Sequence, residues 1–521
     1  MHSYHIFYFP FKWEIPNKKD KLFSEQVDLD DIKIVPESEW ERVQIPDKID
    51  TSIVDDRVRK DYEAIFGEKN YYFEFVHPAL YDEQSRPNSI LHHYERKETK
   101  EIAHLPQYII KTKGKSYVLQ IDAMNLNLYA TGVGVISFFL KNEYDNQKDP
   151  DDIRIINQFG RRIMPPHYGE ITCGPDKRGL ISEEISIIGL RGIDEYYKED
   201  FNAERYGLSD VWKPAKFICQ LVKDLSVDLK VIPVIDDRMF VNCWYGNDKL
   251  SEQFKASEKE NDLIKQSVLD LEDKERLEKF VEGDFWYKYL FVDEGSDETC
   301  QNNKMKTELL EKCTYYRWQK YGTLYGVSRY SVMLLTDMGW FSKNIVSVHM
   351  RTIYSRMVEL MLVQRASMLR FSDEVTKVSC LSDANKMTIP HKISSLYKEY
   401  IRFVNQIFFR EVTAQDQGIE LYHIMMSQFD SEKQITDLDD EISELHDYAS
   451  LLADQKRNDN GQLLNVLAAI FLPATILTGL FGMNPFSGDF CLGDFIFQIG
   501  AIVSISLIVL LIIRRKIYEK K

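Results

Sequence analysis

The chain has 521 residues, 28% of them charged, and a formal net charge of −16. That length allows two or three folding units, and the composition predicts a globular body that buries an apolar core of its own. The acidic balance excludes non-specific binding to DNA or RNA, which needs a basic surface, and favours cations as partners.

The seven cysteines indicate a reducing compartment. They are odd in number, irregularly spaced and without a Cys-x-x-Cys pair, so neither a disulfide framework nor a zinc site is predicted. The first residues, MHSYHIFYFPFKWEIP, lack the basic start and the long apolar core of a secretory signal, and they predict a β-strand instead.

Residues 1–335 are predicted to form an α/β cytoplasmic regulatory domain. Short aromatic and β-branched runs predict strands at HIFYFPF, NYYFEFV, SYVLQIDA, VGVISFFL and LKVIPVI. A charged stretch at residues 251–281 predicts helix. Residues 141–180 are rich in Asn, Asp, Pro and Gly, which predicts a loop.

Residues 336–417 predict a helical cytoplasmic segment. The run NIVSVHMRTIYSRMVELMLVQRASMLRF has apolar residues at helical spacing without Pro or Gly, and a second helix is predicted near residues 390–413. Residues 418–462 predict a stalk helix, whose heptad seam is formed by Ile435, Leu438, Ile442, Leu445, Ala449 and Leu452. A single helix from Leu421 to Phe481 is about 90 Å long at 1.5 Å per residue, which suits a stalk that leads into a membrane.

Two charge-free runs near the C-terminus predict transmembrane helices, the first at residues 463–481 and the second at 495–513. Each is long enough for a hydrocarbon core of about 30 Å. Burial of both runs in a soluble fold is the alternative, and the charged character of the rest of the chain argues against it. Lys456 and Arg457 precede the first run and a basic tail at 514–521 follows the second, whereas the loop at 482–494 has no Lys or Arg. The positive-inside rule therefore places both termini in the cytoplasm and this loop outside the plasma (inner) membrane.

One face of the first predicted span is small or polar. Steps of three and four residues place on one stripe Asn458, Gly461, Asn465, Ala468, Leu472, Thr475, Gly479 and Gly482. Such a stripe allows close helix packing, which is one interpretation. Polar groups at membrane depth also need partners or water, so a ring of these helices around a wet pore is the other.

The stretch FLPATILTGLFGMN resembles the CorA-type magnesium transporter family. The matching features are an aromatic-x-Pro-x-Thr run and the tripeptide Gly482-Met483-Asn484 at the end of the first span, together with two C-terminal spans and a basic tail. The resemblance covers residues 390–521.

The resemblance implies a homopentamer in the lipid bilayer, whose five first spans line a pore for Mg²⁺ or another divalent cation. It assigns the outer mouth to Gly482, Met483 and Asn484, pore-facing positions to Thr475 and Leu472, and the inner mouth to Asn458. Asn465 is a pore candidate from its place on the polar stripe, and it adds an amide where the family is usually less polar. Mg²⁺ gives up its water reluctantly, so neutral oxygens at the mouth hold the hydrated ion without stripping it. Asp447 on the stalk matches by spacing an acidic position with which the family senses intracellular Mg²⁺; a solvated carboxylate is the alternative.

The chain departs from the family in its outer loop and in its N-terminal body. The loop PFSGDFCLGD is not the acidic-aromatic-Pro loop common in the family, which leaves the ion preference open. The body is longer than that of a housekeeping member. Its size and the run YYRWQKYGTLYGVSRYSVMLLTDMGWF resemble CorA-like proteins associated with type III CRISPR systems, which implies gating by a nucleotide second messenger in antiviral defence.

Three segments are candidates for binding such an anionic ligand. The first carries Arg317, Trp318, Arg329 and Tyr330, because aromatic rings stack on bases and arginine pairs with phosphate. The second is FGRRIMPPHYG at residues 159–169, and the third consists of the helix arginines Arg351, Arg356, Arg365 and Arg370. For each segment, core aromatics with solvated or ion-paired arginines are the alternative.

Two other functions are open. One is a plain divalent-cation transporter that intracellular Mg²⁺ closes through stalk acids. The other is a membrane-tethered enzyme, but the sequence offers no catalytic set, and the adjacent His92 and His93 point to opposite sides of a strand. The chain is therefore predicted not to be an enzyme.

Overall fold

The computed structural model describes residues 1–15, 29–46, 56–84, 89–100, 105–164, 182–192, 194–201, 214–257, 263–295, 297–380 and 389–482, with single positions between 493 and 508. The chain divides into two compact units. The first comprises Met1–Cys380 with Ser395–Ile442, and the second Leu381–Ser394 with Ser443–Lys521.

A thirteen-stranded, largely antiparallel sheet forms the centre of the first unit in its described residues. Its strands are β1 (Ser3–Glu14), β2 (Trp40–Arg42), β3 (Leu91–Arg96), β4 (Gln107–Thr112), β5 (Lys115–Tyr129), β6 (Val133–Asn142), β7 (Glu184–Ile188), β8 (Lys198–Asp200), β9 (Lys230–Pro233), β10 (Phe240–Gly246), β11 (Thr314–Tyr315), β12 (Leu324–Val327) and β13 (Ser331–Thr336). The main order is β11-β12-β13-β10-β1-β6-β5-β4-β7-β8, and β10 runs parallel to β13. β2 pairs with β3, β3 with β5, and β9 with β1.

β1 lies at the middle of the sheet because its apolar run suits a strand covered on both faces. Its residues from Ser3 to Phe11 are all buried. On one side β1 pairs with β6 along its length, and on the other it pairs with β10 as far as Tyr8 and with β9 from Phe11. Pro10 falls between these two partners, where a missing backbone N–H costs no ladder bond. The sheet therefore has a gap beside Pro10, bridged by the loop between β9 and β10.

The helices surround this sheet or follow it in the chain. They are α1 (Asp56–Lys69), α2 (His77–Leu80), α3 (Pro150–Gly160), α4 (Lys216–Leu225), α5 (Asp248–Phe254), α6 (Leu263–Val281), α7 (Asp284–Phe291), α8 (Asn303–Cys313), α9 (Ser347–His349), α10 (Ser355–Ser379), α11 (Ile389–Gln406), α12 (Asp416–Phe429) and α13 (Ser431–Gly482). Two π-helical segments, Ser342–Val346 and Met350–Tyr354, flank α9 and make residues 342–379 one continuous helical stretch.

Most strand predictions for the N-terminal part are confirmed, and two predictions are wrong. NYYFEFV is not a strand: it follows α1 as a turn and the 3₁₀ segment Glu74–Val76. The stretch 141–180 is not only loop, because α3 lies within it and begins with a proline that suits a first helical turn.

The predicted single helix from Leu421 is also wrong, because the chain turns at Asp430. α12 ends at Phe429, Asp430 adopts the left-handed conformation with φ 55°, and α13 starts at Ser431. Aspartate tolerates this conformation better than most residues, so the break occurs without the Gly or Pro that signals one in a sequence. Within α13, the seam residues Leu438, Ile442 and Ala449 are buried, as the heptad pattern predicts.

The first predicted span, residues 463–481, lies within α13, and the second, 495–513, falls largely outside the described residues. In the part of the chain that the structure describes, no helix combines the length and the apolar composition needed to cross a bilayer.

Candidate functional site

A cavity lined by arginines lies at the gap that Pro10 leaves in the sheet. Its volume is about 240 Å³. The loop from Ile235 to Met239 forms one wall, and the loop after β12, which carries Arg329 and Tyr330, forms another. α10 closes the cavity with Leu362 and Arg365. We call this cavity the arginine pocket.

The arginine pocket unites parts of the three segments that the sequence singled out for an anionic ligand. Arg329 and Tyr330 come from the first segment and Arg365 from the third, and all three line the cavity. Arg161, from the second segment, lies behind the wall, with its guanidinium carbon 5.6 Å from the centre of the Tyr330 ring. Arg238, which the sequence analysis did not single out, stands 5.0 Å from the same ring.

Two carboxylates only partly balance these guanidinium groups. Asp236 pairs with Arg238 at 2.9 Å, and Asp237 lies 3.6 Å from Arg162 and 3.2 Å from Arg238. Burial and the hydrogen bond with Asp236 raise the pKa of Asp237 to about 6. Among the residues that line the pocket, three are arginines, Arg238, Arg329 and Arg365, and one is an acid, Asp236.

Burial and the neighbouring positive charges lower the pKa of two arginines, Arg161 and Arg365. The pKa of Arg161 lies below its ordinary value because the side chain is buried and faces Arg238 and Arg162. The pKa of Arg365 is lowered by burial and by Arg329. Arg161 is 2% exposed, and its Nε has no hydrogen-bond partner among the described residues. Burying a cationic donor without an acceptor is costly, and an anion bound in the pocket would add negative charge near these two arginines.

The arginine pocket also touches the end of α12. The Nε of Arg329 donates a hydrogen bond to the backbone oxygen of Gln428 at 2.9 Å. The Arg365 guanidinium lies 5.1 Å from the centre of the Phe429 ring. A cation at the C-terminus of a helix satisfies its free carbonyls and its dipole. Both arginines thus contact the last turn of α12, directly before Asp430.

Arg317 and Trp318 do not reach the arginine pocket. Arg317 pairs with Glu420 and lies 3.5 Å from Asp416, and Trp318 donates from Nε1 to the Oε1 of Gln417 at 2.8 Å. These partners belong to the first turns of α12, so the two side chains fix that end of the helix to the loop that precedes β12.

The remaining members of the second and third segments have other surroundings. Arg351 and Arg356 line a separate cavity of about 390 Å³ together with Asp122, Glu68 and Glu359. Arg370 pairs with Glu374 at 2.9 Å. Residues 165–169 lie outside the described residues.

The predicted pore and sensor residues lie on α13 where the structure describes them. Asn458, Asn465, Leu472 and Thr475 are exposed, and the Thr475 hydroxyl donates to the backbone oxygen of Phe471 at 2.9 Å, as hydroxyls within helices do. Asp447 is exposed as well. Gly482 is the last residue of the helix, and Met483 and Asn484 lie outside the described residues. Within the described chain, no three His, Cys, Asp or Glu side chains stand close enough together to hold a metal ion.

The signal that sequence reasoning missed is the triplet Asp236-Asp237-Arg238. It sits between two strands that pair with the same neighbour, and only the split of that pairing at Pro10 brings it to the other arginines. A charged triplet in a short inter-strand loop is common, so the sequence alone gives no reason to prefer this one.

Residues 351–515 match the family model described as CorA-like Mg²⁺ transporter protein, which is less than a third of the chain. The match runs from the long helical stretch into the C-terminal region and leaves the sheet outside. The resemblance of the C-terminal region to the CorA family is thereby confirmed. A solved structure, the complete structure of CorA magnesium transporter from Methanocaldococcus jannaschii, aligns with 14% identity and a TM-score of 0.18 over 56% of this chain and 94% of that one. No curated protein matches the chain.

Proposed function

We propose that this chain is a membrane channel or transporter for divalent cations, with Mg²⁺ as the first candidate. The observation that carries the proposal is the CorA-like match over residues 351–515, which contains both apolar runs and the tripeptide Gly482-Met483-Asn484. We place the chain in the plasma membrane as a homopentamer with both termini in the cytoplasm. Its activity is conduction, not catalysis.

In this proposal the small and polar stripe of the first span faces the pore. Asn484 and the backbone carbonyls of Gly482 and Met483 hold the hydrated cation at the outer mouth. Thr475, Leu472, Asn465 and Asn458 line the path inward; neutral oxygens attract a hydrated Mg²⁺ and still release it.

We further propose that an anionic nucleotide second messenger opens the channel by binding in the arginine pocket, in the setting of type III CRISPR defence. The surplus of guanidinium groups supports an anionic ligand, because arginine pairs with phosphate through two parallel hydrogen bonds. The first contacts to change are those of Arg329 and Arg365. A bound phosphate competes with the Gln428 carbonyl for Arg329 and with the Phe429 ring for Arg365.

Through this competition, ligand binding changes the contacts at the end of α12 and the start of α13. A ligand shifts an equilibrium only by its differing affinity for the two states. The state in which Arg329 leaves Gln428 binds the phosphate more tightly, so binding favours a changed junction at Asp430. α13 begins there and continues into the predicted first span.

The experiment is cation entry into vesicles that contain the purified full-length protein. A fluorescent Mg²⁺ indicator inside the vesicles reports flux with a cyclic oligoadenylate, with inorganic tripolyphosphate or with neither present. We expect flux that depends on the added anion. Asn484→Ala should change conduction and leave anion binding intact. Vesicles that stay sealed under all conditions contradict the channel itself.

The pocket is tested by a matched pair of variants. Arg365→Gln removes a pocket arginine, and Arg317→Gln removes an arginine that pairs with α12 away from the pocket. Because a charged hydrogen bond contributes about 1.5–3 kcal/mol, Arg365→Gln should weaken activation by about tenfold or more, and Arg317→Gln should not. Equal effects of the two variants contradict the assignment of the pocket and leave the channel standing.

The runner-up function is a plain divalent-cation transporter that intracellular Mg²⁺ closes. The exposed position of Asp447 on α13 is compatible with such a sensor. Flux that needs no anion, falls as internal Mg²⁺ rises and escapes this inhibition in Asp447→Asn establishes that function instead.

A further inference from the structure

A third cavity, in the first unit, is lined by five Trp, Tyr and Phe side chains. Its volume is about 630 Å³, within the range of about 300–1,000 Å³ that is typical of small-molecule sites. Trp318 and Tyr325 line it from β12 and the loop before that strand, and Trp340 and Phe341 line it from the residues just before the long helical stretch. A π-helical segment, Ser342–Val346, contributes to the wall, and such segments are frequent at functional sites. We call this cavity the aromatic pocket.

Three of the rings at the aromatic pocket are open to solvent. Trp340 is 71% exposed, Tyr321 62% and Phe341 61%. Isolated exposed rings are ordinary, but a group of them around one cavity marks an interaction site.

The rings of Trp318 and Tyr325 share one hydrogen-bond partner. The side chain of Gln417 accepts a hydrogen bond from the Nε1 of Trp318 at 2.8 Å and donates one to the hydroxyl of Tyr325 at 3.1 Å. One amide thus fixes the orientation of both rings. A preorganised wall loses little conformational entropy when a ligand binds, which favours affinity.

The charge of the aromatic pocket selects the class of ligand. Asp337 contributes a carboxylate, and the residues that line the cavity include no lysine or arginine. The Oδ1 of Asp337 accepts hydrogen bonds from the backbone N–H of Gly339 and the hydroxyl of Ser342, so the carboxylate is held in place while Oδ2 has no protein donor among the described residues. Asp248 adds negative charge nearby by accepting from the N–H of Met338 at 2.7 Å.

One lining histidine and one neighbouring arginine carry basic side chains, and neither reverses this charge. Desolvation lowers the pKa of His349, which keeps this lining imidazole neutral at neutral pH. Arg317 packs 5.8 Å from the Trp318 ring and is neutralised by Glu420 and Asp416. Aromatic faces carry negative potential and attract cations, and a nearby carboxylate adds to that attraction.

We propose that the aromatic pocket binds an organic cation, a molecule with a methylated or ring nitrogen that carries a permanent positive charge. Its rings enclose the cationic head, and Asp337 supplies the counter-charge. This site is separate from the arginine pocket, and its test does not depend on whether the chain conducts ions.

The test compares two probes of nearly the same shape. Calorimetry on the purified full-length protein measures binding of 1-methylnicotinamide, which is cationic, and nicotinamide, which is neutral. We expect the cation to bind about tenfold or more tightly than the neutral probe. Equal affinities, or no binding of the cation, overturn the proposal.

Variants separate the contributions of ring and charge. Asp337→Asn keeps the acceptor for Gly339 and Ser342, and it should reduce affinity for the cation about tenfold while leaving nicotinamide unchanged. Trp340→Ala should weaken both probes. Tyr316→Ala removes a ring that is 59% exposed outside the cavity and should change neither. Cation binding that survives both Asp337→Asn and Trp340→Ala also overturns the assignment.

Discussion

Glu359 is a buried carboxyl group whose protonation sets a pH dependence of stability. It is 8% exposed and accepts hydrogen bonds from the side-chain amide of Asn127 and, at 3.1 Å, from the hydroxyl of Tyr129. Burial raises its pKa above the ordinary value of 4.5. The folded state therefore holds a proton that the unfolded state has released, so stability is highest below the ordinary pKa and is lost as the pH rises through the raised one.

Glu359→Gln should remove this loss. An amide keeps an acceptor for Tyr129 and carries no charge to desolvate. At pH 8 the variant should therefore melt at the same temperature as the natural protein or higher. The corresponding gain in the free energy of unfolding is about 1.4 kcal/mol for each unit of the pKa shift. At pH 5 the two should converge. Thermal unfolding at both values measures the difference, and identical pH profiles count against the proposed burial effect.

Glu420 provides a control of opposite sign. Tyr315 and Arg317 donate hydrogen bonds to it, which lowers its pKa. The stability that it contributes is present above its ordinary pKa and lost as the pH falls through the lowered one. Glu420→Gln should therefore lower the melting temperature at pH 8 and have less effect at pH 4, the reverse of the pattern at Glu359.

At the scale of elements, Asp430 fixes the junction between α12 and α13. Its φ of 55° is left-handed, and its side chain is exposed. The junction is held further by Gln434, whose side-chain amide donates to the backbone oxygen of Phe429 at 2.8 Å. The turn between the two helices is thus stabilised by a specific side-chain hydrogen bond.

Substitutions at Asp430 should act mainly through backbone conformation. Asp430→Gly removes the steric cost of the left-handed conformation and should stabilise the junction by up to about 1 kcal/mol. Asp430→Val adds a β-branched side chain to it and should cost about 1–2 kcal/mol. Chemical unfolding followed by helical circular dichroism measures both. If the valine variant is as stable as the natural protein, the two helices do not meet at a left-handed residue.

This junction also shows where prediction from sequence reached its limit. The strand β1 and the helical stretch 342–379 were predictable because apolar spacing alone defines them. The break at Asp430 was not, because aspartate occurs both within helices and in the left-handed conformation, and neither Gly nor Pro marks the position. Similarly, the sequence indicated Arg329, Tyr330 and Arg365 one by one. Their meeting with Arg238 depended on the split partners of β1 at Pro10, a three-dimensional fact that no local pattern contains.

At the scale of the whole molecule, the proposed function requires the chain to be oriented in a membrane with its acidic body inside. The basic residues that flank the two apolar runs predict this orientation, with the loop at 482–494 outside. Cys491 lies in that loop, and Cys380 is an exposed free thiol at the end of α10. In the predicted orientation the two cysteines lie on opposite sides of the membrane.

Labelling with a membrane-impermeant maleimide tests the orientation. In intact cells that express single-cysteine variants of the full chain, Cys491 should react and Cys380 should react only after the membrane is opened, since a charged reagent does not cross the hydrocarbon core. Reaction of Cys380 in intact cells, or protection of Cys491 until lysis, indicates the opposite orientation in the membrane. The arginine pocket would then face away from any cytoplasmic nucleotide, so this one measurement decides whether the proposed signal can reach the side chains proposed to receive it.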